Sequence, residues 1–337
     1  VWMETDNTYP YRNLAMEEYM TLHVPQGTCI LYLWQNRHTV VIGKNQNCWR
    51  ECRVNFLEQE NGYLVRRLSG GGAVFHDLGN LNFTFIVGAG DYDVSRQLDV
   101  ILEAVRSLGI HAEKTGRNDI TVDGRKFSGN AFYRTGDGCY HHGTILIRAD
   151  KENMSRYLNV SKEKLASKGV TSVKSRVANL CEFKPDITLE EVKSALVEAF
   201  SKVYGQPAVR MEEGELPQPD IDARTEKFAS WQWKYGRKIP FEYEMEKRFP
   251  WGNIQIQFHV DEGMIQDVNV FSDAMDQEMI GMLAEQLKGC AYAEEDICRA
   301  VKAVGTDAFQ AGEYTGADEP QSCRIKEDIM TLVRESL

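Results

Sequence analysis

The segment RRLSGGGAVFHD, residues 66–77, is the most distinctive part of this 337-residue chain, and it leads into an apolar run at Leu81–Val87. The three glycines at 70–72 have no Cβ atoms, so their backbone can approach a ligand closely and adopt unusual dihedral angles. Consecutive backbone amides can surround an anion, and Arg66 and Arg67 add charged donors suited to a phosphate or a carboxylate. The segment therefore predicts a loop that binds a phosphate or an acyl-adenylate. The sequence has neither a Walker A loop nor a Gly-x-Gly-x-x-Gly fingerprint.

Patterns typical of strands and helices surround this loop. Runs of apolar, β-branched and aromatic residues predict strands at Cys29–Trp34, Thr39–Ile42, Leu64–Val65, Leu81–Val87 and Thr144–Ile147. Helical spacing predicts helices at Leu14–Leu22 with Asn13 as the N-cap, at Val94–Leu108, and from Thr188 to Val203. The order of these elements predicts a large α/β domain with strands in mixed order.

The last quarter of the chain has a pattern of its own. Apolar residues alternate with polar ones over Ile254–Val260, which predicts a half-buried strand, and Ile280–Leu287 carries a helical apolar stripe. We place a linker near Lys247–Pro250. The fold class is therefore α/β (α+β), with a large domain of mixed β-sheets flanked by helices over residues 1–246 and a small α+β C-terminal domain over residues 251–337.

Composition excludes several classes of protein. Apolar residues make up 42% of the chain and charged residues 26%, which is ordinary for a globular protein and argues against a disordered one. No run reaches the roughly 18–20 apolar residues of a membrane helix, and Val1–Pro10 lacks the features of a signal peptide. The eight scattered cysteines do not form a disulfide framework in a chain of this length. We therefore expect a cytoplasmic protein with reduced thiols and no membrane partner.

Charge is distributed unevenly along the chain. The net charge is −11, which argues against a nucleic-acid partner. Residues 251–337 hold 6 basic and 17 acidic residues, whereas His111–Leu180 holds 13 basic and 7 acidic ones. The basic segment is suited to an anionic substrate or an acidic protein, although a highly charged tail is also typical of a well-solvated surface.

A second motif consists of Gly116–Ile120 followed by Gly124–Ala131, and it contains Lys126. The Asp123-Gly124 pair predicts a tight hairpin turn between two short strands. A lysine beside small residues can present its ammonium group as a mobile charge, which suits a site where negative charge moves between a carboxylate and a phosphoryl oxygen.

A third motif is His141-His142-Gly143-Thr144. Neighbouring side chains on a strand point to opposite faces, so the two histidines do not readily chelate one metal ion. We expect one histidine to face the site and the other to pack or to form hydrogen bonds. The basic run Lys174–Leu180 is suited to a phosphate or an acidic partner.

Taken in order, these motifs resemble those of the lipoate–protein ligases of the bacterial type with a C-terminal accessory domain. The resemblance extends over essentially the full length of the chain. It rests on the motifs above and on four further runs: Asn13–Ala15 with Glu17 and Glu18, Val41–Asn47, Trp251-Gly252, and Gly289–Tyr292.

The resemblance implies an ATP-dependent enzyme with two half-reactions. Lipoate and ATP form lipoyl-adenylate and pyrophosphate with Mg²⁺, and the ε-amine of a lysine on an acceptor domain then takes the lipoyl group and releases AMP. The invariant lysine of the family corresponds to Lys126, which would contact both lipoate and ATP. Further ATP contacts correspond to Arg67, Gly72, Ala73, Val74 and Phe75, and further lipoate contacts to Arg67, Ser69, Ala131 and His142.

The resemblance also implies partners. The acceptors of the family are apo lipoyl domains of 2-oxoacid dehydrogenase complexes and the glycine-cleavage H protein, which are acidic and complement the basic segment. We expect the protein to act as a monomer. Asp119 is a candidate ligand for Mg²⁺ or a candidate base, and a turn-capping role is an equally good interpretation.

Two alternatives stay open at the level of sequence. An octanoyl- or lipoyl-transferase of the same fold uses a preformed activated donor, either a thioester with a nucleophilic cysteine or lipoyl-adenylate itself. Cys139 and Cys181 are near the motifs but not in a Pro-Cys-Gly context. The other alternative is a non-catalytic lipoate-binding protein, which would be favoured if Lys126 were missing.

Overall fold

The computed structural model describes residues 1–115, 119–159, 177–305 and 321–337. The described chain divides into two compact units. The first unit comprises residues 1–42, 48–67 and 73–234, and the second comprises residues 43–47, 68–72 and 235–337. Gly116–Asn118 and Lys174–Arg176, which the sequence analysis singled out, lie outside the described residues.

The helices, numbered along the described chain, are α1 (Pro10–His23), α2 (Cys48–Glu51), α3 (Val54–Gln59), α4 (Val94–Ser107), α5 (Lys151–Tyr157), α6 (Leu189–Tyr204), α7 (Gln218–Ala229), α8 (Trp231–Tyr235), α9 (Gln277–Leu287), α10 (Glu294–Ala303) and α11 (Gln321–Ser336). The strands are β1 (Trp2–Glu4), β2 (Cys29–Trp34), β3 (Thr39–Ile42), β4 (Tyr63–Arg66), β5 (Val74–His76), β6 (Asn80–Gly88), β7 (Glu113–Thr115), β8 (Asp119–Val122), β9 (Arg125–Thr135), β10 (Gly138–Leu146), β11 (Tyr243–Phe249), β12 (Gly252–Asp261) and β13 (Met264–Ser272).

The first unit is built on a seven-stranded sheet in the order β1-β2-β6-β10-β9-β8-β7, with a three-stranded sheet in the order β4-β3-β5. In the large sheet β1 pairs parallel to β2, whereas the other strands pair antiparallel. All nine residues of β6 are buried, as expected for a central strand that is covered on both faces. Helix α1 packs against α7, and α4 packs against α6. The mixed α/β fold predicted from the sequence is confirmed.

The second unit has its own core. Strands β11, β12 and β13 form an antiparallel sheet, and the apolar faces of α9, α10 and α11 contribute to one buried cluster that includes Ile256, Leu283 and Ile329. Ile254, Ile256 and Phe258 are fully buried in that cluster, as the predicted alternation requires. Gln255, which was expected on the exposed face, is also buried, and its amide donates to Glu244 at 2.8 Å.

Two local predictions are wrong. Helix α1 begins at Pro10, because the fixed φ of proline suits the first helical position. Asn13 therefore lies inside the helix, where its buried amide donates to the carbonyls of Asn7 and Gln35. The linker expected near Lys247–Pro250 is the second wrong prediction. Lys247 lies in β11, where it pairs with Ile254 of β12. The charges of this strand are typical of the edge of a sheet.

Among the described residues, no helix is long and apolar enough to span a bilayer.

Candidate active site

Lys126 is the second residue of β9, directly after the hairpin turn that joins this strand to β8. Asp123 and Gly124 both have positive φ, 49° and 70°, as a two-residue hairpin turn requires. The pairing register shifts beyond this turn: Thr121 pairs with Lys126, whereas Ile120 pairs with Ser128. One extra residue is therefore inserted in β9, and such bulges redirect neighbouring side chains and occur often beside active sites.

The ammonium group of Lys126 forms an ion pair with Asp119 across the hairpin. Lys126 Nζ lies 2.6 Å from Asp119 Oδ1, and 22% and 20% of the two side chains are exposed. The lysine side chain passes over Gly129, whose amide donates to Thr144 Oγ1 at 3.2 Å. The sheet thus presents a positive charge that solvent can reach at its surface.

The same face of the sheet carries a buried polar cluster of Glu17, Thr84 and His142, close to Gly129. Ala131 of β9 pairs with His142 of β10, which in turn pairs with Thr84 of β6. Directly paired residues have side chains on one face, so these three surround a common position. His142 Nδ1 lies 2.9 Å from Oε1 of Glu17, a residue of α1 that is 1% exposed. The same Glu17 oxygen accepts from Thr84 Oγ1 at 2.7 Å.

Glu17 is not among the site residues predicted from the sequence, and only its place in a motif shared with the family pointed to it. Its partner His142 is 125 residues away, so the contact depends on how α1 lies against the sheet. An acidic residue inside a predicted helix, within a run shared with the family motif, is the only signal that the sequence offered.

Two more groups belong to this buried cluster. Arg67 is 5% exposed and donates to the Val41 carbonyl at 3.3 Å. Burial lowers the pKa of Arg67 to about 10, and the nearby Tyr140 and Glu17 act in the opposite direction. Burial also lowers the pKa of His76 to about 3, and interactions with Arg67 and His142 act in the same direction. Arg67 therefore stays cationic and His76 stays neutral near pH 7.

His141 lies on the opposite face of β10 from His142, as the alternation of side chains predicts. Its Nδ1 is 3.1 Å from Gln97 Oε1 of α4, and its Nε2 is 2.8 Å from Asn130 Oδ1. Burial lowers its pKa to about 3. His141 is therefore a hydrogen-bonded residue of the core, and His142 is the histidine on the face that carries Lys126.

The predicted site residues are divided between the two units. Arg67, Ala73, Val74, Phe75, Lys126, Ala131 and His142 belong to the first unit, whereas Ser69 and Gly72 belong to the second. The ring of Phe75 is buried, with its centroid 5.3 Å from that of Tyr157 and 5.7 Å from that of His38. A ligand at β5 would therefore meet the backbone of Phe75 rather than its ring.

The glycine loop is held by close backbone contacts within the second unit. The Gly71 amide donates to the Ala274 carbonyl at 3.1 Å, and the Ser69 carbonyl accepts from the Lys44 amide at 2.9 Å. A Cβ atom on Gly70 would lie 2.4 Å from the Ala274 carbonyl oxygen. In this structure the triple glycine therefore permits close approach between chain segments, and the Gly71 amide is committed to a protein carbonyl.

Arg66, which its sequence context made a candidate for binding a phosphate, forms hydrogen bonds with the end of α8. Its guanidinium donates to the carbonyls of Trp233 and Lys234 at the end of α8, at 3.0 and 2.8 Å. The Trp233 indole donates in return to the Arg66 carbonyl at 2.8 Å. Arg66 thereby fixes the last turn of α8 against β4.

The cysteines and carboxylates limit the chemistry of the site. Cys139 is 1% exposed and burial raises its pKa, so it is a poor candidate for the nucleophile of a transferase.

In the parts of the chain that the structure describes, no three His, Cys, Asp or Glu side chains meet as a metal site. Mg²⁺ often uses one or two carboxylates together with substrate phosphates, so Asp119 fits such an ion only when phosphates complete its coordination.

Comparison with known proteins agrees with this architecture. The family model of the lipoyl protein ligase A/B catalytic domain matches residues 9–201, and that of the bacterial lipoate protein ligase C-terminus matches residues 238–316. The crystal structure of P. falciparum LipL1 in complex with lipoate is similar with a TM-score of 0.82 at 28% identity, over 98% of this chain and 99% of that chain.

Two further structures are similar over a smaller part of the chain. A chain from the Thermoplasma acidophilum lipoylation system, a bipartite lipoate protein ligase and its E2 lipoyl domain, gives a TM-score of 0.61 at 26% identity, over 71% of this chain and 97% of that one. A lipoate-protein ligase A bound with ATP shares the fold, with a TM-score of 0.58 at 23% identity, over 70% of this chain and 96% of that one. Because a catalytic-domain model covers more than half of its length and a C-terminal model follows, this chain belongs to the lipoate–protein ligase family.

Proposed function

We propose that this protein is an ATP-dependent lipoate–protein ligase that forms a lipoyl-adenylate intermediate in the cytoplasm. The observation that carries the proposal is the Lys126 ammonium, held 2.6 Å from Asp119 beside the buried cluster of Glu17, His142 and Arg67. A division of labour between a large catalytic domain and a small C-terminal accessory domain, with β11 in the accessory domain, is part of the same proposal.

In the first half-reaction a carboxylate oxygen of lipoate attacks the α-phosphorus of ATP. The bond between that phosphorus and the bridging oxygen breaks, and pyrophosphate leaves with the electron pair. Lys126 lies between the lipoyl carbonyl and the α-phosphate, where a fixed cation stabilises charge that develops on the phosphoryl oxygens. Mg²⁺ would be held mainly by the substrate phosphates and would neutralise charge on the leaving pyrophosphate. Asp119 is a candidate protein ligand for that ion, and the Asp119→Asn variant separates this role from the ion pair with Lys126.

Further contacts follow from the matched motifs. Arg67 and the backbone of Gly72, Ala73, Val74 and Phe75 contact the nucleotide, and Ser69, Ala131 and His142 contact the lipoyl group. The two similar structures that contain lipoate and ATP support both ligands. The buried pair of Glu17 and His142 gives the acyl site a polar wall that is closed to bulk water, which limits hydrolysis of the mixed anhydride.

In the second half-reaction the ε-amine of an acceptor lysine attacks the lipoyl carbonyl. An amide bond forms, AMP leaves with the electrons of the anhydride bond, and the amine loses a proton. We propose that the acceptors are apo lipoyl domains of 2-oxoacid dehydrogenase complexes and the glycine-cleavage H protein, and that a monomer suffices. The similar ligase from T. acidophilum, whose lipoylation system includes an E2 lipoyl domain, supports the first class of acceptor.

Pyrophosphate release tests the proposal directly. We expect the purified protein to release pyrophosphate from ATP only when lipoate is present, and to transfer the lipoyl group to an apo lipoyl domain, detected by its gain in mass. Transfer from preformed lipoyl-adenylate without any pyrophosphate release from ATP and lipoate would identify a transferase. Lipoate binding with neither activity would identify a non-catalytic binding protein.

A further inference from the structure

Gly129 lies directly beneath the side chain of Lys126. A Cβ atom on Gly129 would lie 2.6 Å from both Cε and Nζ of Lys126, closer than Cβ atoms come in real structures. It would also lie 3.8 Å from Thr144 Oγ1. Gly129 has no positive φ that would require glycine for the backbone, so the lysine side chain is the structural reason for a residue without a Cβ atom at this position.

Asp119 holds the other end of the same side chain. Its carboxylate lies 2.6 Å from the ammonium group, and its position is set by the pairing of Asp119 with Gly129 across β8 and β9. The residue that leaves room for the lysine and the residue that binds it are thus direct neighbours across two strands. The bulge at Phe127 lies between Lys126 and Ser128 in β9 and breaks the alternation of side chains.

We propose that Gly129 and Asp119 are positioning residues for Lys126. Gly129 leaves the space across which the lysine side chain lies, and Asp119 fixes the place of the ammonium group until substrates bind. The roles of both residues in the reaction rest on the proposed function. Because a misplacement of about 1 Å can cost about 100-fold in rate, small changes beneath the lysine should affect the chemical step more than substrate binding.

Two variants test the proposal, and Gly129→Ala is the more direct of them because it changes only the space beneath Lys126. The atoms that an alanine would meet belong to the far end of a flexible side chain, so the protein should fold while the ammonium group moves. We expect the kcat of pyrophosphate release to fall about 100-fold, with less than about threefold change in the KM values of lipoate and ATP. Gly214→Ala is the matched control, because Gly214 is exposed and a Cβ atom there meets no other group.

Asp119→Asn removes the charge but keeps the shape of the side chain. We expect kcat to fall about 10-fold or more without a change in the Mg²⁺ concentration that gives half-maximal rate. A loss that excess Mg²⁺ restores would show that Asp119 acts through the metal ion, and it would overturn the positioning role of Asp119. Near wild-type kcat in Gly129→Ala would overturn the role of Gly129.

A second readout does not depend on catalysis. Trace labelling with acetic anhydride, followed by mass spectrometry, measures the reactivity of the Lys126 amine relative to the exposed Lys202. We expect severalfold faster labelling of Lys126 in both variants and no change in Gly214→Ala. Unchanged labelling in both variants would overturn the proposal. If the wild-type protein releases no pyrophosphate, the proposed function fails, and this labelling alone decides whether the two residues position Lys126.

Discussion

At Lys126 a single charge lies at the surface of the first unit with about a fifth of its side chain exposed. An ion pair of this kind contributes little to the free energy of unfolding, because solvent screens it and ordering two side chains costs entropy. The ion pair with Asp119 therefore matters mainly because it fixes the position of the ammonium group, and it adds little to the free energy of unfolding.

Lys126→Ala should separate chemistry from folding. We expect pyrophosphate release to fall about 100- to 1,000-fold, the usual effect of removing one group that stabilises transition-state charge, while the melting temperature changes little. A pyrophosphate assay and a thermal unfolding curve measure the two effects. Lys202→Ala is the control, because Lys202 forms an exposed ion pair with Glu103. Near-normal turnover in Lys126→Ala would contradict the mechanism.

Two buried histidines predict how stability depends on pH. Burial lowers the folded-state pKa of His76 and of His141 to about 3, whereas the unfolded value is about 6.5. Below about pH 6.5 the unfolded chain therefore binds more protons than the folded one, so stability falls as the pH falls from about 6.5 toward 3. Between pH 7 and pH 5 each histidine should cost about 1–2 kcal/mol.

Urea titrations at pH 7 and pH 5 measure this loss. In His141→Gln the difference in unfolding free energy between the two pH values should be smaller than in the wild-type protein, because one titrating group has been removed. An equal difference in both proteins would show that His141 does not resist protonation in the folded state.

At the level of elements, the glycine loop depends on close backbone approach in the second unit. Gly70→Ala would place a Cβ atom 2.4 Å from the Ala274 carbonyl oxygen and 2.6 Å from that of Met275. Both contacts are with backbone atoms and cannot be relieved by a rotamer change, so we expect a loss of about 1–3 kcal/mol in the free energy of unfolding. Urea unfolding measures it. In the control Gly281→Ala, no atom meets the new Cβ, and no loss is expected.

Several elements could be predicted from sequence because their signals are local. The bounds of β2 and β3 match the predicted runs, and α6 begins after Thr188, which forms a complete capping box with Glu191. The turn between β8 and β9 has the positive φ values that Asp123-Gly124 predicts. The start of α1 was missed because Pro10 was a stronger helix start than Asn13 was an N-cap.

At the scale of the whole molecule, basic and acidic residues are concentrated in different segments of the chain. Residues 251–337 carry 6 basic and 17 acidic residues, and His111–Leu180 carries 13 basic and 7 acidic ones. If an acidic acceptor binds the basic segment, its attraction should weaken as salt shortens the Debye length from about 8 Å at 0.15 M to about 3 Å at 1 M.

The expected result is a rise in the acceptor KM of the transfer step with added NaCl, while the KM of lipoate changes much less. A mass-based transfer assay at several salt concentrations measures both. A flat acceptor KM would remove the argument from charge complementarity and would leave the acidic tail as a solvated surface.

Periodicity, turn chemistry and composition act within a few residues. They were enough to predict most of the strands, four of the longer helices (α1, α4, α6 and α9), the mixed α/β class and the place of Lys126 beside a hairpin. Contacts between distant segments were decided only by tertiary structure. Glu17 and His142 meet because α1 lies across β6 and β10, Arg66 binds the end of α8, and the Gly71 amide donates to Ala274. These contacts depend on how segments far apart in the chain pack together, and no local pattern contains that information.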